Sequence, residues 1–159
     1  WQGMLATPIQ IAAGYSTLVN WWYYVKPRIV QKTYNTETKK TTENPIKRWA
    51  QILKAETSEK MKDALFQVVY GWLTKNFGIP GYTLGWKSWT PQIAFKGLYR
   101  SGPWRTNASF VGIVTKENLK YVVVIQIRRP RSNQYGEYTA GKMFGDLSKI
   151  LIEKDLIIK

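Results

Sequence analysis

Lys87, Ser88 and Thr90 stand within one stretch of four residues and have the side-chain types that bind a carboxylate. An ammonium group supplies positive charge, and two hydroxyls supply directed hydrogen bonds. The chain contains no His and no Cys, which excludes a Ser-His-Asp triad, a thiol nucleophile and a thiolate metal site. A hydroxyl nucleophile would therefore need a Lys as its base or electrostatic partner. The alternative for this stretch is the basic end of a strand with no binding role.

The acidic residues indicate no second catalytic group. Asp and Glu number 10 in total, and they are scattered rather than clustered as a metal site requires. The sequence contains no P-loop and no dinucleotide-binding fingerprint, and we expect no cofactor and no metal. Glu117, Glu137 and Asp146 are expected to be solvated.

The charge balance is strongly basic, with 24 Lys and Arg and a net charge of +14 over 159 residues. Such a charge favours anionic surroundings such as nucleic acid, anionic lipid or a wall polymer. Basic residues cluster at 39–40, 47–48 and 128–131 in a chain rich in aromatic residues, a composition typical of nucleic-acid-binding sites. A basic, aromatic-rich binding module for nucleic acid or anionic wall polymer is therefore one hypothesis. Lys spread over a solvated surface is the other explanation of the charge.

Three helices are predicted in a chain long enough for one domain with its own core. Residues 7–10 (TPIQ) form a helix start, with Thr as the N-cap, Pro at the first position and Gln as the partner of a capping box. A second helix is predicted from residue 57 or 58 to Gly71 and a third over residues 139–153, because apolar residues recur there at helical spacing. A weaker helical turn is predicted over residues 46–53.

Strand patterns fill most of the remaining chain. Residues 120–129 are β-branched and apolar on both faces, which is typical of a central strand, and residues 108–115 are predicted to pair with them as a hairpin. Weaker strands are predicted over residues 24–33 and 84–92, and the polar stretch 33–44 is predicted as an exposed loop or an excursion between strands. Hairpins closed by a helix indicate an α+β fold, with an antiparallel sheet packed against helices.

Several segments, in order along the chain, resemble the transpeptidase domain of class B penicillin-binding proteins, which cross-link peptidoglycan. Residues 2–16 are similar to the family's QG…TPxQxAxAYS helix, and residues 20–30 to its NGG…xxPxIV continuation. Residues 87–90 are similar to the family's Lys-(Ser/Thr)-Gly-Thr motif. The remaining similar segments are the two strands after that motif, the closing segment and the C-terminal helix: residues 108–112, 120–127, 135–136 and 139–151. The resemblance implies the α+β fold of the C-terminal portion of such a domain.

The resemblance also implies roles for residues 87–90. Lys87 is the motif Lys that tunes the site electrostatically, and Ser88 and Thr90 bind the terminal carboxylate of the donor peptide or the carboxylate of a β-lactam. The backbone N–H of Thr90 is one oxyanion donor, which stabilises the tetrahedral acyl intermediate. Lys87 and Thr90 are thus the implied catalytic residues. Trp89 stands where the family has Gly, and an indole there is expected to fill the place where the peptide lies beside the strand.

By the same resemblance, residues 1–159 are the C-terminal part of a transpeptidase domain. The family's acylated Ser, with its Lys three residues later, and its Ser-x-Asn motif lie upstream of this stretch, so we expect the chain alone to lack the nucleophile and to be inactive. The implied partners are peptidoglycan stem peptides, β-lactams and the missing N-terminal part of the domain, with no nucleic acid. The implied location is the extracytoplasmic face of the bacterial cytoplasmic membrane, reached through an upstream anchor.

Tryptophan is unusually frequent, with eight residues in the chain. Gly can adopt a positive φ that Trp adopts only with strain. We therefore hypothesise that most of these residues are Gly in the natural protein, where UGA codons have been read as Trp. Deliberate Gly→Trp substitution, or ordinary use of Trp for a core, a membrane belt or carbohydrate stacking, are the alternatives. The tryptophans at positions where the family has Gly, or where Gly is more natural in a turn, are Trp1, Trp21, Trp22, Trp72, Trp86, Trp89 and Trp104.

Overall fold

The computed structural model describes residues 5–70, 79–117 and 119–153, which form helices packed against antiparallel strands. The helices are α1 (Pro8–Ser16), α2 (Ala55–Tyr70) and α3 (Ala140–Glu153). The strands are β1 (Tyr23–Val25), β2 (Lys32–Tyr34), β3 (Thr41–Glu43), β4 (Arg48–Gln51), β5 (Thr83–Trp89), β6 (Ala94–Phe95), β7 (Leu98–Tyr99), β8 (Asn107–Lys116) and β9 (Leu119–Arg128). The predicted α+β fold is confirmed.

In the described part of the chain, the main sheet has three antiparallel strands in the order β5–β8–β9. β8 pairs with β5 from Thr115 opposite Thr83 to Ser109 opposite Trp89, and with β9 along its whole length. Among the described strands, β8 therefore takes the central position that the sequence predicts for residues 120–129. β9 is apolar on both faces because helices cover both faces of the sheet.

Side chains divide between the two faces because they alternate along each strand. On one face, Phe144 of α3 packs on Phe110 of β8 with ring centroids 5.0 Å apart. On the opposite face, Ile113 of β8 packs with Leu18 and with Leu65 of α2. The sheet is thus the middle layer, with α3 on one side and α1 and α2 on the other.

The start of α1 is confirmed. Thr7 Oγ1 accepts a hydrogen bond from the Gln10 N–H at 3.3 Å, and the Thr7 N–H donates to Gln10 Oε1 at 2.8 Å, so both halves of the capping box form. The helix ends at Ser16. Leu18 and Val19, whose spacing from Ile11 and Tyr15 predicts a continuation of the helix, are instead buried in the turn that follows. α2 begins slightly before its predicted start, and α3 lies where the third helix is predicted.

Residues 23–51 form two small antiparallel pairs, β1 with β4 and β2 with β3. The helical turn predicted over residues 46–53 is wrong, because β4 pairs with β1. The strand predicted over residues 24–33 is divided into β1 and β2 with Pro27 between them, since Pro has no N–H for a ladder. The polar stretch 33–44 contains most of an exposed hairpin, β2–β3.

Trp21, Trp22 and Trp104 have positive backbone φ angles of 67°, 69° and 67°. This is the left-handed region, which glycine enters freely and bulky residues rarely adopt. These three positions therefore have the backbone that the sequence hypothesis expects for glycine. Trp86 and Trp89 lie in β5 with extended backbone.

Three sequence expectations concern Trp1, Trp72 and the helix end at Gly71, which lie outside the described residues. Within the described ranges, no helix is both long enough and apolar enough to cross a membrane.

Candidate active site

β5 brings the residues of the carboxylate-binding pattern to an edge of the sheet. β8 pairs with one side of β5, and no strand in the described part of the chain pairs with the other. Because side chains alternate, Ser88 points to the α3 face, whereas Lys87 and Trp89 point to the face that carries α1 and α2. Thr90 follows the strand and meets the same segment as Ser88. The structure thus brings the two hydroxyls together and places Lys87 on the opposite face of the strand.

The two hydroxyls contact the segment that precedes α3. The Gly136 N–H donates to Thr90 Oγ1 at 3.2 Å, and Ser88 Oγ donates to Glu137 Oε2 at 3.3 Å. Thr90 Oγ1 is the acceptor of its hydrogen bond with Gly136, so the Thr90 hydroxyl hydrogen can still be donated to another group. The hydroxyl hydrogen of Ser88 is already directed at the Glu137 carboxylate. The expectation that Glu137 is solvated is wrong, because Glu137 is half-buried against β5.

Gly136 lets this segment lie directly on the sheet. A Cβ atom at position 136 would overlap the carbonyl oxygen of Ser109 and lie 3.0 Å from that of Trp89. The Gly136 carbonyl also accepts a hydrogen bond from the Gly141 N–H at 2.8 Å, in the first turn of α3. The position of Glu137 relative to Ser88 is therefore set by backbone contacts with β8, β5 and α3 together.

The other face of β5 borders a largely apolar groove of about 840 Å³. Tyr15, Leu18 and Met61 line the groove from the helical side, and Trp89 lines it from the sheet. Burial raises the pKa of the Tyr15 hydroxyl, so this group stays neutral. Trp89 forms part of the groove wall on the face to which Lys87 points, and its obstruction of a peptide at the strand edge stays a prediction.

Ser58 in α2 does not offer a second nucleophile. Its side chain is fully buried, and its Oγ donates to the Leu18 carbonyl at 3.2 Å. The nearby Lys60 pairs with Glu56 at 2.6 Å on the exposed side of the helix. Across residues 5–70, 79–117 and 119–153, no group of three or more acidic residues is placed to hold a metal ion.

Sequence reasoning identified the strand but missed the contact with Glu137. Residues 135–136 match the closing segment of the resembled family, yet no local pattern indicates that Glu137 meets Ser88, which lies 49 positions earlier. The contact depends on how α3 packs on the sheet, which periodicity alone does not specify.

An α+β sheet with helices on both faces, and a Lys- and hydroxyl-bearing strand at its edge, is the class of architecture expected for the penicillin-binding acyltransferases. The family model for the penicillin binding protein transpeptidase domain matches residues 2–149. The chain belongs to this family.

Two curated relatives are similar over nearly the whole chain. Stage V sporulation protein D of Bacillus subtilis is 30% identical over 151 residues, which cover 93% of this chain and 23% of that protein. Penicillin-binding protein PbpB of Mycobacterium tuberculosis is 27% identical over 166 residues, covering 97% of this chain and 24% of that protein. The chain therefore spans about a quarter of the length of these relatives.

The crystal structure of penicillin binding protein 3 from Mycobacterium tuberculosis is similar to this fold. Its TM-score is 0.78 at 25% identity, and the match covers 98% of this chain and 37% of that one. Structures of the same protein complexed with aztreonam and with ampicillin give the same TM-score.

Proposed function

We propose that this chain is part of a serine-type D,D-transpeptidase that cross-links peptidoglycan stem peptides through a serine acyl-enzyme and binds β-lactams. The observation that carries the proposal is β5, which presents Lys87, Ser88 and Thr90 at a sheet edge beside a groove in a chain that belongs to the transpeptidase family. Binding of ampicillin by penicillin binding protein 3 of Mycobacterium tuberculosis supports β-lactam binding by the protein that contains this chain.

In this proposal, Thr90 is the main hydroxyl donor to the ligand carboxylate. Its oxygen already accepts from the Gly136 N–H, which orients the hydroxyl and leaves its hydrogen for the ligand. Ser88 lies on the same side and donates to the ligand once its hydroxyl turns away from Glu137 Oε2. The exposed Lys87 ammonium adds positive charge from the opposite face of the strand. The backbone N–H of Thr90 serves as an oxyanion donor to the tetrahedral intermediate.

We further propose that residues 1–159 act as the C-terminal part of the domain and do not react alone. The support is the groove, because the exposed apolar side chains of Ile52 and Met61 line an open volume of about 840 Å³. Such apolar surface is typical of a face that packs against a further segment. The segment that carries the acylated Ser is the proposed occupant. Its Ser then lies close to Lys87 and Thr90.

The complete protein is proposed to work at the extracytoplasmic face of the cytoplasmic membrane, held by an upstream anchor, because its substrate is the cell wall.

The alternative function, a basic, aromatic-rich module that binds nucleic acid or an anionic wall polymer by stacking on exposed indoles, has less support. The guanidinium carbon of Arg131 lies 4.6 Å from the Trp104 ring centroid, and the Lys120 ammonium lies 5.6 Å from that of Trp21. One of the protein's own cations therefore already occupies a face of each ring.

Labelling with a fluorescent penicillin tests the proposed function. The full-length protein is expected to form a covalent adduct, and residues 1–159 alone are expected to form none. Thr90→Val is expected to slow labelling of the full-length protein about tenfold or more, since a hydrogen bond to a charged group contributes about 1.5–3 kcal/mol.

The controls separate loss of the hydroxyl from loss of structure. Thr90→Ser keeps the hydroxyl and is expected to restore most of the rate, while Thr36→Val changes an exposed residue of the β2–β3 hairpin and is expected to have no effect. Failure of the full-length protein to label, or equal rates for Thr90→Val and Thr36→Val, contradicts the proposal.

A further inference from the structure

We infer that positions 21, 22 and 104, together with 86 and 89, are glycine in the natural protein, and that their codons are UGA triplets which the source organism reads as glycine. The first observation is the backbone. Positions 21, 22 and 104 have φ angles of 67°, 69° and 67°, where the Cβ of an L-residue approaches its own carbonyl oxygen. Positions 21 and 22 require this conformation twice in succession.

Tryptophan has no local compensation for such strain. Asn and Asp tolerate the left-handed region because short polar side chains can hydrogen-bond to the nearby backbone, whereas an indole is bulky and has one N–H donor. Burial does not offset the strain either, because Trp21 and Trp104 are 68% and 52% exposed. The Lys120 and Arg131 contacts with these rings contribute about 0.5–1 kcal/mol each at exposed sites. The left-handed backbone costs roughly 1–2 kcal/mol per residue, so these contacts do not explain tryptophan at the two positions.

The distribution of positive φ angles supports the same assignment. Tryptophan accounts for 8 of the 159 residues in the chain. Yet it accounts for three of the seven non-glycine residues with positive φ in the described ranges: Trp21, Lys39, Lys96, Trp22, Trp104, Glu117 and Arg129. A residue type chosen for its ring would not concentrate in the backbone region that glycine favours.

The environment of Trp86 independently indicates that tryptophan is not the natural residue at this position. Its ring is buried and stacks on Phe110 with centroids 4.9 Å apart, but its indole N–H has no acceptor among the described residues. A buried donor without a partner loses its hydrogen bonds to water and forms none within the protein, so native cores rarely contain one. The Trp86 ring therefore packs in the core, but its N–H lacks a hydrogen-bond acceptor there.

Position 89 connects the inference to the site. With glycine there, residues 87–90 become Lys-Ser-Gly-Thr, and the indole that forms part of the groove wall is removed. Glycine in a strand marks places where another backbone approaches closely. The functional meaning of this change rests on the proposed function, whereas the codon assignment itself does not.

Trp49 provides an internal comparison. It lies in β4 with extended backbone, and its ring packs against Tyr24 with centroids 5.7 Å apart, which is ordinary use of an aromatic residue in a strand. UGA differs from the glycine codon GGA by one base, whereas UGG encodes tryptophan. A recoded gene is therefore expected to carry UGG at position 49 and UGA at the five inferred positions.

The coding DNA and the mass of the natural protein test this inference directly. We expect UGA at positions 21, 22, 86, 89 and 104, UGG at position 49, and peptides from the source organism whose masses match glycine at the five positions and tryptophan at the sixth. UGG at position 21, 22 or 104, or a peptide mass that matches tryptophan there, overturns the inference and favours encoded or engineered tryptophan.

Thermal unfolding of the full-length protein adds a readout that does not depend on the gene. Trp21→Gly is expected to raise the Tm by about 3 °C, because glycine relieves the strained φ and little buried surface is lost. Trp49→Gly is expected to lower it, because glycine weakens a strand. A lower Tm for both variants overturns the structural basis of the inference. Neither outcome depends on catalytic activity, so failure here is distinguishable from failure of the proposed function.

Discussion

The carboxylate of Glu137 lies beside the hydroxyls proposed to receive a ligand carboxylate. Ser88 Oγ donates to Glu137 Oε2 at 3.3 Å, so the Ser88 hydrogen is directed away from a ligand. The two ion pairs in the described residues, Glu56 with Lys60 and Glu59 with Lys62, do not involve Glu137. A carboxylate without a basic partner repels a second carboxylate. We therefore expect Glu137 to weaken the binding of ligands that carry this group.

Glu137→Gln is accordingly predicted to raise the acylation rate constant of the full-length protein with benzylpenicillin about tenfold, equivalent to about 1.4 kcal/mol. The amide oxygen of Gln still accepts from Ser88, so the hydrogen bond is kept and the charge is removed. The methyl ester of benzylpenicillin, which lacks the ligand charge, is predicted to react equally with both proteins. Stopped-flow measurement of the two rate constants checks this.

Asp146→Asn is the matched control, because it removes one negative charge from an exposed position on α3. It is predicted to leave both rate constants unchanged. Equal acceleration by Glu137→Gln and Asp146→Asn would show a general charge effect, and equal acceleration with the acid and the ester would show a structural effect. Either result contradicts a specific role for the Glu137 charge.

At the scale of elements, α3 is held on β8 by a ring packed over a glycine. A Cβ atom at Gly112 would overlap the Phe144 ring, and Phe144 is buried against Phe110. The segment with Gly136 and Glu137 leads directly into α3, so this packing also sets the contact between that segment and β5. The site therefore depends on a helix that contributes no ligand-binding side chain.

Phe144→Ala is predicted to lower the free energy of unfolding of residues 1–159 by about 3–5 kcal/mol, because it opens a cavity between α3 and the sheet. Met143→Ala, at the neighbouring exposed position, is predicted to change it by about 0.5 kcal/mol or less. Urea unfolding followed by fluorescence measures both values. Similar values for the two variants would mean that α3 does not pack on β8 as described.

At the scale of the whole molecule, the groove is a volume of about 840 Å³ that the described residues leave unfilled. It lies on the face of the sheet that carries α1 and α2, the face to which Lys87 points. If the remaining part of the domain packs there, the apolar lining of the groove and strand β5 are buried together in one core. Folding and formation of the site would then be coupled, since the same contact would bury the groove and bring the acylated Ser to β5.

Supplying the upstream part of the domain as a separate polypeptide is predicted to produce penicillin labelling that neither part shows alone. Met61→Lys, which places a charge in the groove lining, is predicted to reduce this labelling at least tenfold, because burial of an unpaired charge is costly. Met143→Lys adds the same charge at an exposed position on α3 and is predicted to have little effect. Equal labelling of the two variants would place the docking surface elsewhere.

Much of the local structure follows from the sequence alone. The capping box at Thr7 and Gln10, the helical spacing in α2 and α3, and the β8–β9 hairpin depend on residues close together in the chain, so short-range patterns indicate them. The order of motifs along the chain also indicated the transpeptidase family, which the family match confirms. The roles of Lys87, Ser88 and Thr90 stay predictions until the labelling experiments are done.

Tertiary structure alone decided the rest. Both β8 and β9 are apolar, and only the packing of β5 against β8 makes β8 central. The strand pairing of residues 48–51 overrode a helical pattern, because their partners lie in β1. The Ser88–Glu137 contact joins residues 49 positions apart and exists because α3 packs on the sheet. Periodicity describes which side of an element is apolar, whereas the neighbours of that side are set by how all the elements pack together.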